Sequence, residues 1–308
     1  MTSSVPRLDK KAVRSAFARA AQDYDAAAVL QREIADRLLE RLAYMRIAPA
    51  RVLDLGCGTG YATVSLAQRY RQAQIVGLDF AQAMTQAARR RSAKQFPFGL
   101  GRYLSRELFV SADAEFLPFM DHSVDLIFSN LVLQWCDPDV VFRECRRVLR
   151  PGGLFLFTTF GPDTLKELRA AWRSVDAGLH VHEFIDMHDL GDALVRARFA
   201  DPVMDVENLT LTYAQVPDVL RDLKAIGAHN AATGRRTALT GKTQYTRFVQ
   251  AYEQFRNAEG RLPASYETVF GHAWAPLVET LKQAEGQAVI SLEHLRRGRG
   301  ERLSPSSR

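Results

Sequence analysis

The stretch VLDLGCGTG at residues 52–60 combines one aspartate, Asp54, with Gly56, Gly58 and Gly60. An apolar run precedes the glycines, which is typical of a strand that turns directly into a helix. Glycines let the backbone turn tightly and approach a ligand without interference from Cβ atoms. The spacing is GxGxG rather than the GxGxxG of a dinucleotide fingerprint, so the glycines alone leave a plain strand-to-helix turn open as an alternative.

Further polar residues follow the next predicted strands. Asp79 ends one strand about 20 residues after that turn, where a carboxylate can accept both hydroxyls of a ribose. Asp113 can accept from an exocyclic adenine amine, and Ala114 can offer its backbone N–H to the ring. Asn130 and Gln134, with the tryptophan that follows, lie at the end of the fourth strand and face the same crevice. For each aspartate taken singly, the alternative is a solvated loop carboxylate without a ligand. That alternative does not explain polar residues at four successive strand ends.

The elements that position these residues alternate along the chain. The predicted strands are RVLDL, QIVGLDF, LFVSADA, VDLIFSNLVLQW and GLFLFTTF, and helical stretches lie between them. This alternation predicts an α/β fold with a doubly wound, mostly parallel sheet. We expect an N-terminal helical lid (1–48), the α/β core (49–161), a mostly helical cap with the final strands of the sheet (162–290), and a disordered basic tail (291–308).

The N-terminal segment has a helical apolar period over residues 10–45. Phe17, Tyr24 and Gln31 are seven residues apart and would share one helix face. A packing helix is one reading of this face. We favour a lid that closes over the ligand, with Tyr24 contacting the substrate.

Composition restricts the function classes. The 308 residues are 47% hydrophobic and 25% charged, no apolar run is long enough to span a bilayer, and the net charge is +6. The excess of arginine indicates either a solvated basic face or an acidic partner, and no motif favours nucleic acid. Three cysteines without a CxxC pair predict a reducing compartment, the cytoplasm.

The motifs VLDLGCGTG, GLDFAQAM, ADAEFLPF, VDLIFSNLVLQW and LRPGGLFLFTTF resemble those of the class I S-adenosylmethionine-dependent methyltransferases. The resemblance implies a Rossmann-like fold and S-adenosylmethionine as cofactor, with the glycines under its methionine part. It implies Asp79 at the ribose, Asp113 and Ala114 at the adenine, and Gly56, Gly58 and Gly60 at the methionine part. We expect Gln31, Asp54, Cys57 and Asn130 at the cofactor as well, and Phe80 and Met84 either beside its ribose and adenine or in the core.

Outside the core, AFARAAQDYDAAAVLQREIADRLLERL, SNLVLQWCDP and LKAIGAHNAATGRRTALTGKTQYTRFVQAYE are similar to the malonyl-[acyl-carrier protein] O-methyltransferase family of biotin synthesis. That resemblance implies methyl transfer to the free carboxylate of a malonyl thioester. It implies Tyr24 and Gln134 at the reacting groups, and an acidic carrier protein as partner. The residues expected to bind the substrate or carrier are His229, Asn230, Arg235, Arg236 and Lys242, for which a solvated basic loop is the alternative.

Three other functions compete with this one. The stretch AYEQFRNAEGRLPASYETVFGHAW also resembles mitochondrial complex I assembly factors, which modify an arginine of a partner protein. The core motifs are similar to those of quinone-pathway C-methyltransferases, and a module that senses the cofactor without catalysis also remains. His180, His182 and Glu183 lack further ligands at metal-binding spacing, so no metal is predicted.

Overall fold

The computed structural model of the protein describes residues 8–95, 106–235 and 240–277. Seven strands form one sheet: β1 Arg51–Leu55, β2 Gln74–Asp79, β3 Leu108–Ser111, β4 Val124–Asn130, β5 Leu149–Phe160, β6 Ala200–Tyr213 and β7 Leu262–Trp274. Their order is β3-β2-β1-β4-β5-β7-β6. The first five strands pair in parallel, whereas β7 runs antiparallel between β5 and β6. The predicted doubly wound, mostly parallel sheet is therefore confirmed.

Within the described residues, ten α-helices flank this sheet. They are α1 Lys10–Ala20, α2 Tyr24–Ala27, α3 Val29–Arg41, α4 Tyr61–Arg69, α5 Gln82–Ala93, α6 Pro138–Val148, α7 Lys166–Arg173, α8 Met187–Arg196, α9 Val216–Ala225 and α10 Lys242–Glu253. Short 3-10 turns occur at Leu42–Tyr44 and Leu133–Trp135. None of the helices in these ranges is long and apolar enough to cross a membrane.

The core lies on both faces of the sheet, and β5 shows how. Leu154 and Leu156 point to the cluster shared with α3, α7 and α10, while Phe155 and Phe157 point to the cluster shared with α6 and α8. All four side chains are at most 1% exposed. A strand buried on both faces needs apolar residues at consecutive positions, and LFLF supplies them.

The single helix predicted over residues 10–45 is wrong. The chain turns at residues 21–23 and bends again at Ala28, so that α1, α2 and α3 follow one another in different directions. One unbroken helix of that length would extend about 54 Å, more than the edge of such a sheet that it has to cover. The break places Asp25 where its carboxylate accepts from the Thr59 hydroxyl of the glycine-rich turn.

The helices predicted after β5 are confirmed as α7 to α10, but they do not form one insertion. Strand β6 separates α7 and α8 from α9 and α10, and β7 follows α10. The stretch VENLTLTY forms the second half of the longer β6. The boundaries of the lid, core and cap remain predictions, and the basic tail at 291–308 lies outside the described residues.

Candidate functional site

The site lies at the carboxyl ends of β1 to β4, where the strand order reverses beside β1 and an α/β sheet opens a crevice. The glycine-rich turn begins directly after β1. The backbone N–H groups of Gly56 and Cys57 both donate to the carbonyl oxygen of Leu78, at 2.7 and 2.9 Å. This turn is therefore fastened to the end of β2, and its remaining backbone faces the crevice.

The three glycines of this turn all have positive φ, but they serve different neighbours. A Cβ at Gly56 would lie 2.1 Å from the Val132 side chain, and one at Gly60 would lie 2.8 Å from Ala88 Cβ on α5. A Cβ at Gly58 would meet nothing within 4 Å. Gly56 and Gly60 thus permit close internal packing, while Gly58 leaves open space above the turn for a ligand.

Asp79 and Asp54 are two buried carboxylates beneath this open space. Asp79 Oδ2 accepts from the Gly58 N–H at 3.0 Å, and its Oδ1 accepts from the Ala81 N–H at 2.8 Å. Burial raises the pKa of Asp79 to about 6. Asp54 accepts from the Thr63 hydroxyl at 2.5 Å, and its burial raises its pKa to about 7. Each oxygen of Asp79 can accept one more hydrogen bond, which suits a pair of ribose hydroxyls.

Two narrow cavities, of ≈ 70 and ≈ 50 Å³, adjoin Gly56. We call them the first and second cofactor cavities. Predicted residues line both: the first has Gly56, Asp79, Phe80, Asp113 and Ala114 in its wall, and the second has Tyr24, Gln31, Asp54, Gly56, Cys57, Gly58 and Asn130. Sequence reasoning placed Gly60 and Met84 here as well. Neither lines the first or the second cofactor cavity, since Gly60 packs on α5 and Met84, 1% exposed, packs with Ala21 and Ala81.

The N-terminal helices cover these cavities and are bound to their walls. Lys10 Nζ lies 2.7 Å from Asp113 Oδ2 and 2.6 Å from Glu115 Oε2. Asp25 accepts from the Thr59 hydroxyl at 2.6 Å, and the Asn130 amide donates to the Gln31 carbonyl oxygen at 3.0 Å. Polar contacts therefore join this segment to three of the four strand ends.

The residues present fit an adenosyl group. The open space over Gly58, the buried acceptor Asp79 and the apolar wall of the first cavity suit a ribose flanked by an adenine ring. One feature differs from the expectation, because both oxygens of Asp113 accept from Lys10. An adenine amine would have to share this carboxylate with Lys10 or take its place.

A third cavity, of ≈ 320 Å³, lies beside the first two, and we call it the acceptor chamber. Trp135 lines both this chamber and the first cofactor cavity, and Gln31 lines both this chamber and the second. The predicted catalytic residue Gln134 lies in the chamber wall, where its amide donates to Leu131 O at 2.8 Å and accepts from Thr159 Oγ1 at 3.2 Å. Further members of the wall are Phe160, Trp172, His182, Phe184, Lys224 and Tyr266.

Tyr24, the other predicted catalytic residue, lies in the wall of the second cofactor cavity and is absent from that of the chamber. Its pKa is raised well above the ordinary range by burial and by the nearby carboxylates of Asp79 and Asp25. The phenol therefore keeps its proton at neutral pH.

A fourth cavity, of ≈ 590 Å³, opens to the surface, and we call it the basic mouth. His229 and Asn230 line both the mouth and the chamber, and Arg235 lines the mouth, where it pairs with Asp9 at 3.1 Å. Arg19 adds a further cation. Of the other predicted substrate residues, Lys242 is the exposed first residue of α10, and Arg236 lies outside the described residues.

Four functional candidates were missed by sequence reasoning: Lys10, Arg19, Lys224 and His182. Arg19 and Lys224 are 205 residues apart, and nothing in their local sequence signals that both charges lie near His229. His182 was considered only as a metal ligand. The described part of the chain contains no group of three or more histidine, cysteine, aspartate or glutamate side chains arranged for a metal ion.

Comparison with known proteins gives three results. Residues 53–157 match a family model described as a methyltransferase domain. The chain is 55% identical over 286 residues to a malonyl-[acyl-carrier protein] O-methyltransferase of Laribacter hongkongensis, covering 92% of this chain and 95% of that protein. It is 51% identical over 285 residues to the protein of the same name from Gallionella capsiferriformans, covering 92% and 96%.

Solved structures share the fold at low sequence identity. The YcgJ protein of Bacillus subtilis aligns with a TM-score of 0.54 and 17% identity over 78% of this chain and 97% of its own. A structure described as a putative methyltransferase from Bacillus halodurans aligns with a TM-score of 0.54 and 16% identity over 79% and 98%.

Proposed function

Because the chain belongs to the malonyl-[acyl-carrier protein] O-methyltransferase family, we propose that it methylates the free carboxylate of a malonyl thioester on acyl-carrier protein, an early step of biotin synthesis. S-adenosylmethionine is the methyl donor. One observation carries the proposal: the acceptor chamber borders both cofactor cavities through Trp135 and Gln31, and it shares His229 and Asn230 with a basic mouth. The surface opening therefore adjoins the chamber and the chamber adjoins the cofactor cavities, the arrangement that a long flexible acceptor requires.

The cofactor supplies an activated methyl group on a sulfonium, and this chain's residues have to bind and orient it. Asp79 would hold the ribose, the first cavity with Phe80, Asp113 and Ala114 would hold the adenine, and the turn at Gly58 would lie under the methionine part. These assignments rest on burial, open space and acceptor capacity at each position. Lys10, bound to Asp113, would close the adenine end.

Little acid–base chemistry is required of the protein. A malonyl carboxylate has an ordinary carboxylic pKa near 4 and is deprotonated at neutral pH, so it is already a nucleophile. Tyr24, whose pKa is raised, can donate a hydrogen bond but cannot accept a proton. The contribution of the site is alignment of the two reactants and exclusion of water by the chamber walls and the N-terminal helices.

The basic mouth fits an acidic carrier protein. Arg19 and Lys224 make no ion pair among the described residues, and the charges of both lower the pKa of His229, after the larger effect of burial. Arg19 lies in the wall of the mouth and Lys224 in that of the adjoining chamber, and unpaired cations there attract an acidic partner and speed its approach. The compartment that we propose is the cytoplasm, because Cys57, Cys136 and Cys145 are all unpaired thiols.

The test is to incubate the protein with methyl-labelled S-adenosylmethionine and malonyl-carrier protein. We expect label on the carrier-bound malonyl group, released as methanol by mild base, and none on acetyl-carrier protein. Absence of a base-labile label on malonyl-carrier protein would overturn the proposal. Base-stable label on an arginine of a partner protein would favour the assembly-factor alternative instead.

A further inference from the structure

His182 lies in the loop between α7 and α8, and its imidazole is part of the wall of the acceptor chamber. The side chain is buried, with only 7% of the residue exposed. Its ring centroid lies 5.0 Å from that of Trp135 and 4.6 Å from that of Phe184. An aromatic setting of this kind offers an imidazole no hydrogen-bond partner of its own.

The Nε2 atom of His182 indeed has no hydrogen-bond partner in the described part of the chain. A buried polar atom left unpaired costs about 1–3 kcal/mol, and such atoms are few in native proteins. His180, two residues earlier, shows the usual solution: it stacks on Trp172 and its Nε2 bonds Asp176 Oδ1 at 2.8 Å. The cost at His182 therefore calls for a reason other than packing.

The position of His182 indicates what would use its free nitrogen. Trp135, against which it packs, also lines the first cofactor cavity. A group held against His182 would therefore lie beside Trp135, the residue that borders both the chamber and the first cofactor cavity. The reacting end of a malonyl thioester is its carboxylate.

We propose that the imidazole of His182 donates a hydrogen bond to the terminal carboxylate of the acceptor and turns one of its oxygens toward the methyl group. This inference rests on the proposed function. His182 is then an acceptor-binding residue that selects chains ending in a carboxylate, because an acetyl chain would leave its nitrogen unpaired.

The charge state of His182 suits this role. Burial, together with the nearby charge of Arg169, lowers the pKa of His182 to about 4, so the ring is neutral at neutral pH and carries one N–H donor. A neutral donor orients a carboxylate while withdrawing less charge from it than an ion pair would. The Nη1 and Nη2 atoms of Arg169 donate to the carbonyl oxygens of Pro162 and Thr164 at 2.7 and 2.9 Å, while its Nε, like His182 Nε2, has no hydrogen-bond partner in the described part of the chain.

The test compares His182→Phe, which keeps an aromatic ring, with His182→Gln, which keeps a neutral N–H donor. We expect His182→Phe to lower kcat/KM for malonyl-carrier protein at least about tenfold, as loss of a hydrogen bond to a charged group does. His182→Gln should restore part of this loss. The exposed His188, in the first turn of α8, provides the control variant His188→Gln, which should behave as wild type.

Two further readouts separate substrate binding from a structural role. The affinity for S-adenosylhomocysteine should be unchanged in both His182 variants, and so should inhibition by acetyl-carrier protein, which lacks the carboxylate. Unchanged kcat/KM in His182→Phe would overturn the inference, and so would equal losses in both variants accompanied by weaker S-adenosylhomocysteine binding. If the wild type itself forms no methyl ester, the proposed function fails, and the inference fails with it.

Discussion

Replacing Asp79 by asparagine separates the stability of the protein from its affinity for the cofactor. The rise in the pKa of Asp79 from 3.8 to about 6 corresponds to about 3 kcal/mol of unfavourable charge burial at neutral pH. An uncharged amide removes that cost. However, both Asp79 oxygens accept from backbone N–H groups, so the amide NH₂ would leave one of those donors unpaired, at about 1–3 kcal/mol. The two effects oppose each other, and the unfolding free energy should change by less than about 2 kcal/mol.

Cofactor binding should respond far more strongly to the same change. A hydrogen bond to a charged acceptor contributes about 1.5–3 kcal/mol, so losing one weakens binding by roughly tenfold to a hundredfold. Calorimetric titration with S-adenosylhomocysteine at pH 8 measures the affinity, and urea unfolding measures the stability. Asp192→Asn, an exposed change on α8, is the control and should alter neither.

The stability of the free protein and its affinity for the cofactor should change with pH in opposite directions. Below pH 3.8, Asp79 is protonated in both the folded and the unfolded state. As the pH rises toward 6, the unfolded chain releases this proton first, so the free protein loses the stability that Asp79 contributes at low pH. Cofactor affinity should instead rise through pH 6, because the ribose needs the carboxylate as acceptor.

Asp79→Asn should remove this rise in affinity, and any pH dependence that remains is assigned to Asp54, whose pKa is about 7. Wild-type affinity in Asp79→Asn, or an unchanged pH profile, would refute the assignment of Asp79 to the ribose.

Three further predictions concern the lid, the turn and the mouth. Lys10→Met should speed S-adenosylhomocysteine dissociation several-fold in stopped-flow measurements. The unfolding free energy should fall by no more than about 1 kcal/mol, because the ion pairs of Lys10 are partly exposed. An unchanged dissociation rate would count against a closing role of Lys10. Gly58→Ala should fold with an unfolding free energy lower by about 1–2 kcal/mol, and it should bind S-adenosylhomocysteine weakly. Gly56→Ala should fail to fold, because its Cβ has no room beside Val132. Full affinity in Gly58→Ala would mean that no ligand approaches Gly58. Arg19→Glu should raise the KM for malonyl-carrier protein more than the KM for malonyl-pantetheine, and this difference should become smaller at high salt. Arg196→Glu, a reversal on α8 on the opposite face of the sheet, should have no such effect, and equal effects of the two reversals would argue against docking at the mouth.

The sheet was predictable because its signals are local. RVLDL, QIVGLD and GLFLFTTF are buried on both faces, so each reads as a continuous apolar run whatever its neighbours are. Strand β7 was not placed, although burial alternates along LPASYETV as in a half-buried strand, so this signal was available in the sequence. The family membership predicted from the motifs is confirmed by relatives that align over most of the chain.

The site was predictable where strand ends fix it, and much less so elsewhere. Asp79 and Asp113 follow strands directly, so their meeting at one edge follows from the parallel sheet. The contacts of Lys10 with Asp113, and of His182 with Trp135, join residues 103 and 47 positions apart through loops and helix packing. No local pattern encodes such contacts, which is why His182 could be judged only as a metal ligand.

The measurement that tests the central claim most directly is the mass of the prosthetic arm of malonyl-carrier protein after incubation with the protein and S-adenosylmethionine. We predict a gain equal to one methyl ester, which fragmentation of the arm places on the terminal carboxyl, and no gain on an acetyl arm. An unmodified malonyl arm, or a methyl group placed on any other atom, would contradict the account.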